Sequence, residues 1–495
     1  YKVGENSMLI PQFARLLGWF LIILSFCQLF PLFLSLYLKE ANSSQAFLLS
    51  IGFSFFFGNA LLLSFKDFHI EEDRRVGMLV PFVLWIVIPL FAAIPFALTS
   101  FFGGFFQAYF EAVSGLTTTG ATLLVDPSVL PKGLLFWRSQ LEWIGGIGVF
   151  VLALTIFPLL NIGGMKLFYT GLPKGEGENI NAQIKGTAQV LVPAYLMLTL
   201  LCFILLIISG ESPLSASTLA MSTVSTGGFS INPGSVAIPS GGLGEWILMI
   251  FMILASLNIT FFWYISRGKW PRPEQDKETF NFILLTFASG LLFFILFSTL
   301  DQGVISEVSI FSKIQTALFT AISATSTTGY VPAGGVSDSL TIGLSILFLI
   351  MIGGAMGSTA GGLKMMRAML VSRHGWQELR KLSYRHDAKG ITYNKRAITQ
   401  NDLGNLWLLF FLFLLAMSFG LLFLSALGMN FHQAMNISVA SITNSGPTVY
   451  LMDPEFLGYN NLVTSQKLIS LLLMVFGRFE GVLILAIIAK NFWDH

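Results

Sequence analysis

The sequence predicts an all-α membrane protein: ten transmembrane helices with four short re-entrant helices among them, arranged as four helix, short helix, helix repeats about one axis. Three observations carry that prediction. Of 495 residues, 54% are hydrophobic and 11% charged, and the mean hydropathy is +0.74, more apolar surface than a soluble chain of this length can bury in its cores. Ten stretches reach the roughly 20 mostly apolar residues that a helix needs to cross ~30 Å of hydrocarbon. Between them, a Ser/Thr-rich turn anchored on glycine recurs four times.

The ten stretches lie near 12–38, 45–65, 77–100, 138–161, 187–209, 244–265, 278–299, 341–370, 402–428 and 466–490. The first, entered through "QFARLLGW", has an apolar run too long for a removable signal peptide and is expected to remain as a helix. Segments near 104–116, 214–224, 310–325 and 431–442 are too short to span. Lys and Arg concentrate in the connections 66–76, 162–186, 266–277 and 371–397, which the positive-inside rule places in the cytoplasm. An even number of crossings then leaves both termini cytoplasmic.

Composition also removes function classes. A net charge of +2 without a basic block interleaved with aromatics gives no footprint for nucleic acid. Cys27 and Cys202 both sit in apolar runs and the five histidines are scattered, so neither a disulfide framework nor a metal-ligand cluster is expected. No nucleotide fingerprint is present, no organic cofactor is expected on this chain, and any nucleotide control belongs to a partner. The sequons at 42, 258 and 436 carry little meaning, the last two lying in apolar surroundings.

The recurring turns read "TTTGA" (117–121), "STGGF" (225–229), "STTGY" (326–330) and "TNSGP" (443–447). Their glycines, Gly120, Gly228, Gly329 and Gly446, are 108, 101 and 117 residues apart. Similarity extends upstream: Ala108, Ala112 and Ser114 align with Ala216, Ala220 and Ser222, and with Ala317, Ala321 and Ser323. The fourth copy keeps only Ala434. Repeats are the first thing to look for in a long chain. They divide this one into a leading two-helix hairpin (1–75) and repeats at 76–163, 164–266, 267–372 and 373–495.

One such turn would more often be helix packing or an ordinary loop. Four, each between a short helix and a full crossing, argue otherwise. Non-helical backbone at membrane depth is tolerated only where protein buries it or water reaches it, and four hairpins meeting around one axis satisfy that. Inward carbonyls can replace the hydration shell of K+, and glycine accepts the φ values that aim them. The short helices direct their negative C-terminal ends at the same place, which favours a cation. The candidate ion ligands are therefore Thr117, Thr118, Thr119 and Gly120; Ser225, Thr226, Gly227 and Gly228; Ser326, Thr327, Thr328 and Gly329; and Thr443, Asn444, Ser445 and Gly446.

The pattern resembles the TrkH/TrkG/KtrB family of bacterial potassium uptake proteins, from about residue 76 to the end, and the leading hairpin is more like TrkH and TrkG than KtrB. The resemblance implies that the four glycines form a K+ selectivity filter, with Gly120 at the position where glycine accompanies K+ selectivity. It implies a location in the bacterial inner membrane, a homodimer, and a cytosolic nucleotide-binding regulatory subunit resembling TrkA, for which the basic segment 373–396 is a docking candidate. The fourth turn departs most, with Asn444 and Pro447 beside its glycine.

Two further features lie on the inner helices. "IGGAMGSTAGGLK" (352–364) holds five glycines in thirteen positions; each destabilises a helix interior by about 1 kcal/mol relative to alanine, so the helix is expected to break or bend here. Spacing of Gly353, Gly357 and Gly361 at four also suits close helix packing. The resemblance implies a gating loop, made of Gly353, Gly354, Gly357, Ser358, Thr359, Gly361 and Gly362. Arg478 lies roughly 18 Å into the last helix at ~1.5 Å per residue, where a charge costs at least ~2.5 kcal/mol. It aligns with Gly146, Ser256 and Gly354, which places it in the conduction path, as the family's matching arginine does. The alternative is a buried ion pair with Glu111, Glu142 or Glu480. "RSQLEW" (138–143) suggests a structural Arg138–Glu142 pair near the outer surface.

The expected function is K+ uptake; the alternative is an H+- or Na+-coupled secondary transporter with a midplane substrate site. That class predicts inverted repeats, whereas these four share one orientation. No nucleophile, base and metal constellation points to an enzyme.

Overall fold

The structure, a computed structural model, describes residues 3–67, 74–160, 180–239, 241–270, 276–299, 309–336, 339–383, 391–393 and 396–479. It is predominantly helical. The leading hairpin comprises α1 (Val3–Cys27), α2 (Leu29–Tyr37) and α3 (Ala41–Ser64). Its limbs meet at glycines: a Cβ on Gly18 would stand 2.9 Å from the Gly58 carbonyl oxygen, and one on Gly58 2.9 Å from that of Gly18. Small residues at such a contact let helix backbones approach closely.

Next come α4 (Arg74–Ala92), the one-turn α5 (Ile94–Ala97), the short α6 (Phe105–Leu116) and the long α7 (Lys132–Leu160). Glu40, in the turn of the leading hairpin, accepts the Lys132 and Gly133 N–H groups at 2.7 and 3.1 Å. A carboxylate there caps the exposed amides of α7 and complements its dipole, so the hairpin is docked onto the segment that follows.

The same order of outer, short and inner helix then returns. It runs through α8 (Ile180–Ile208), α9 (Pro213–Val224), α10 (Leu243–Ala255) and α11 (Ile259–Ser266). It continues with α12 (Lys277–Thr299), α13 (Ile310–Thr325), α14 (Leu340–Ile352) and α15 (Met365–Ser383). After a two-stranded hairpin, β1 (Thr392–Tyr393) with β2 (Arg396–Ala397), come α16 (Gln400–Ala426), α17 (Phe431–Ile442), α18 (Thr448–Met452) and α19 (Thr464–Arg478). Side chains start several of these helices: Ser212, Ser309 and Asn430 cap α9, α13 and α17, and Thr399 with Asp402 forms a capping box on α16.

The short helices sit in the interior, and the largest core cluster interleaves their side chains (Phe110, Ala321, Val439) with those of α4, α14 and α19. Outer helices keep apolar faces toward the surroundings. Among the described residues, five helices are long and apolar enough to cross a membrane: Ile10–Tyr37, Ala41–Ser64, Gln189–Ile208, Lys277–Thr299 and Gln400–Ala426. Only 22% to 44% of their most apolar windows is buried, which leaves side chains that lipid can cover.

Single-residue breaks at Gln28 and Ala93 divide the 12–38 and 77–100 stretches, and two further expected crossings, both inner helices, are interrupted over longer segments. The 341–370 stretch breaks at Gly353, as its glycines predict, and the chain resumes helix only at Met365. The 244–265 stretch, read as continuous, also breaks, between Ala255 and Ile259, where no glycine or proline stands. Tertiary bonds hold that break open: the Ser256 carbonyl accepts the Ala355 N–H at 3.0 Å, and Asn258 Nδ2 donates to Glu278. The last stretch, 466–490, is described only to Phe479; its remainder, Glu480 and both chain termini lie outside the described residues.

Candidate functional site

Each short helix ends in the same backbone motif. In the first hairpin, Thr118 N–H donates to the Gly115 carbonyl at 2.8 Å and Thr119 N–H to that of Ser114 at 2.8 Å. The matching pairs are Thr226 to Thr223 (3.1 Å) with Gly227 to Ser222 (2.8 Å), Thr327 to Ala324 (3.1 Å) with Thr328 to Ser323 (3.1 Å), and Asn444 to Ser441 (3.2 Å) with Ser445 to Ala440 (2.8 Å). These are Schellman bonds, which use the carbonyls of the last helical turn. The carbonyls of the hairpin residues themselves stay outside the helix's own ladder.

That motif needs a left-handed residue, usually glycine. Here it is Thr118 (φ 50°), Thr226 (φ 53°), Thr327 (φ 58°) and Asn444 (φ 51°). Asparagine tolerates this region, but for β-branched threonine it is an outlier costing of order 1–3 kcal/mol, strain that persists only where the surroundings enforce it. Two residues further on, Gly120, Gly228 and Gly329 are left-handed as well, at φ 75°, 93° and 82°. Gly446 is outside that region.

All sixteen candidate ligand residues are buried, and the hairpins touch one another in cyclic order. A Cβ added to Gly120 would overlap the Gly227 carbonyl, and one on Gly228 the Thr328 carbonyl. On Gly329 it would lie 2.8 Å from the Thr448 nitrogen, and on Gly446 2.6 Å from that of Ala121. Between the fourth and first hairpins, Gly446 N–H also donates to the Thr119 carbonyl at 2.6 Å. The four turns, each more than 100 residues from the next in sequence, close into a ring.

The ring is braced from behind in three ways. Hydroxyl pairs support the first and third hairpins, Thr117 with Thr119 at 2.7 Å and Ser326 with Thr328 at 2.8 Å. In the second, the position of Thr119 and Thr328 is taken by Gly227, because a Cβ there would overlap the carboxyl carbon of Glu142. Glu142, fully buried on α7, accepts the Phe229 N–H at 3.0 Å. In the fourth, Asn444 Nδ2 donates to Thr119 Oγ1 (3.1 Å) and to the Met474 carbonyl of α19 (2.8 Å).

The loop 353–364 lies against the short-helix ends of this ring. Thr359 Oγ1 donates to the Val224 and Ala255 carbonyls at 3.2 and 3.3 Å, Gly361 N–H donates to Thr327 Oγ1 at 2.7 Å, and Gly361 is pressed onto the Thr443 carbonyl. Gly353 (φ 71°), Gly357 (φ 72°) and Gly362 (φ 77°) supply left-handed turns, Gly354 packs on Ala360 and Ser256, and Ser358 is buried. Lys364 Nζ donates to the Ser358 carbonyl at 3.3 Å and to that of Ala360. Arg478, buried at the end of α19, joins ring and loop: its Nε donates to the Thr117 carbonyl at 2.9 Å and its Nη1 to the Thr359 carbonyl at 3.2 Å.

One expectation about charged residues is corrected. Arg138 does not pair with Glu142; its Nε donates to Glu111 at 2.8 Å, and both side chains are buried. Glu111 also accepts Thr122 Oγ1 (2.9 Å) and Leu123 N–H (3.1 Å), while Arg138 stacks 4.1 Å over Phe229. That pair fastens the exit of the first hairpin to that of the second. Glu111 is thus held by Arg138, and the guanidinium of Arg478 reaches main-chain carbonyls.

Sequence reasoning offered Glu142 only as an ion-pair partner and missed the roles of Lys364 and Glu278. Only Glu142 left a trace in the sequence, the extra glycine of "STGGF". The others act through contacts that no local pattern records.

The TrkH family profile, described as a cation transport protein, matches residues 43–494. The chain belongs to the TrkH family. The Trk system potassium uptake protein TrkH of Vibrio parahaemolyticus is 30% identical over 491 residues, covering 98% of this chain and 100% of that one. TrkH of Escherichia coli is 28% identical over 488 residues (97% and 98%), and TrkG of the same organism 27% over 490 (99% and 99%). The crystal structure of the potassium transporter TrkH from Vibrio parahaemolyticus superposes with a TM-score of 0.85 at 27% identity, over 98% of this chain and 99% of that one.

Proposed function

We propose that this TrkH-family chain takes up K+ across the bacterial cytoplasmic membrane, as the names of its relatives state for them. Ten crossings and four re-entrant helices, grouped as repeats 76–163, 164–266, 267–372 and 373–495 behind the hairpin 1–75, surround one pathway with both termini cytoplasmic. K+ sheds part of its water at the mouth and is held by carbonyls of 117–120, 225–228, 326–329 and 443–446, which substitute for the lost hydration. It then passes Arg478 and the loop Gly353–Gly362, which gates. The reading includes a homodimer and a cytosolic nucleotide-binding subunit resembling TrkA.

The observation that carries this reading is the closed order of contacts among the four hairpins, since a shared cation site requires them to converge. Arg478 fits the same scheme. Its guanidinium, tethered to a hairpin carbonyl, raises the barrier for a passing cation and opposes tight, unproductive occupancy. The loop fits a gate because it touches three hairpins or their helices directly and the first through Arg478.

The test is growth at low external K+ of a cell lacking its own uptake systems. The parent chain is expected to restore growth and Gly329→Ser to abolish the rescue, because its Cβ would lie 2.8 Å from backbone at a left-handed φ. Equal rescue by both defeats the filter. In vesicles, Rb+ uptake is expected to exceed Na+ uptake, and shortening 353–362 to raise basal flux.

A further inference from the structure

Glu278, the second residue of α12, is completely buried, and the scheme above does not use it. Its Oε1 accepts two main-chain amides, Met356 N–H at 2.6 Å and Met366 N–H at 3.1 Å, and its Oε2 accepts Asn258 Nδ2. Met356 lies near the start of the glycine-rich loop and Met366 just past its end. Asn258 belongs to the break between α10 and α11. One carboxylate therefore fastens both limbs of the loop to each other and to the neighbouring interrupted helix. Around it, Ala355 N–H donates to Ser256 O at 3.0 Å, Met365 N–H to Gly354 O at 2.9 Å, and Leu363 N–H to Met351 O at 3.0 Å.

Burying a carboxylate is costly unless donors satisfy it. A plain structural role would be met by donors from any nearby backbone. These donors come instead from the two ends of the glycine-rich loop, which lies against the ring, and from the only other break among the described inner helices. A carboxylate can accept at about four lone-pair sites, and here they cross-link three chain segments that would have to separate for the loop to move.

We propose that Glu278 is the latch of the glycine-rich loop, a positioning residue that holds it closed against the hairpins. The proposal rests on the reading of that loop as the gate. Freeing either limb releases the loop, whereas the ion ligands at the ring stay in place.

The test uses the full-length protein in liposomes with no partner subunit, reading 86Rb+ flux at matched protein content. Glu278→Ala is expected to raise basal flux about fivefold or more, the lower end of ordinary coupling between sites. Glu278→Gln, whose carbonyl oxygen can still accept both amides and whose NH2 can donate to Oδ1 of a flipped Asn258 amide, is expected to stay near the parent. In a protein whose 353–362 segment has been shortened, Glu278→Ala is expected to add nothing, because the latch then has no loop to hold. Unchanged flux in Glu278→Ala, or the same increase with and without the shortened loop, overturns the latch. If shortening the loop alone leaves flux unchanged, the gate reading fails instead, and the two failures are distinguishable. Should Glu278→Ala not be recovered from membranes, Asn258→Ala removes one of the three donors. It is expected to speed amide exchange across 353–366 and raise flux to a smaller degree, and no change in either measurement overturns the proposal.

Discussion

In the third hairpin Gly329 is left-handed at φ 82°, and the chain leaves the ring through Val331, which pairs in parallel with Val236. In the fourth, Gly446 avoids the left-handed region and Pro447 opens the one-turn helix α18. Both glycines come from near copies of one motif, yet their reasons differ. Gly329 is required by conformation and by space, Gly446 by space alone. The Pro447 ring also fills room the other glycines leave: a Cβ on Gly120, Gly228 or Gly329 would meet a Pro447 atom within 3.2 Å. Three turns thus expose bare backbone, and the fourth supplies the side chain that covers it. Similar sequence does not enforce similar backbone when neighbouring copies have already taken the space.

The comparison is broken most severely by Gly228→Ala. It adds a methyl group against the Thr328 carbonyl at φ 93°, and K+ uptake is expected to fall by more than about a hundredfold, since misplacing groups by 1 Å costs that much where geometry carries function. Growth at low K+ and Rb+ uptake measure it. Gly227→Thr gives the second hairpin the residue of the first and third; overlap with Glu142 is expected to lower stability by about 1–3 kcal/mol. The double variant Glu142→Ala, Gly227→Thr recovers much of that loss, and equal melting temperatures for single and double variants would refute the account of Gly227.

Asn444→Thr makes the fourth hairpin resemble the others at its left-handed position. It forfeits the bonds to Thr119 Oγ1 and the Met474 carbonyl, each worth about 0.5–1.5 kcal/mol, and thermal denaturation in detergent is expected to show the sum. The smallest effect is that of Thr328→Val, which removes one hydroxyl pair at 2.8 Å. It is expected to cost about 1 kcal/mol and to change the Rb+ to Na+ uptake ratio by less than tenfold, as the backbone bonds remain.

The limits of the short helices were legible to within a residue or so, 104–116 appearing as Phe105–Leu116 and 431–442 as Phe431–Ile442, and the break at Gly353 stands where five glycines announce it. Apolar periodicity and glycine are local signals, and these features are local. The break at Ser256–Asn258 was not legible, since its cause is Glu278 and Ala355, far away in sequence. Arg138 was misassigned for a related reason. Helical spacing offered Glu142 four residues on, while the fold offered Glu111 on another helix at 2.8 Å. The left-handed threonines were hidden because propensity places threonine almost anywhere but there; the ring imposes that conformation from outside.

Carrying all four turns on one polypeptide has a consequence for the charges beside them. An assembly of identical subunits must repeat every substitution at each corner, so a carboxylate behind one turn would become four, and a guanidinium likewise. Here Glu142 backs a single turn and Arg478 touches a single turn. Each corner can therefore be adjusted by itself, and field strength around the ring can be graded in steps of one charge rather than four.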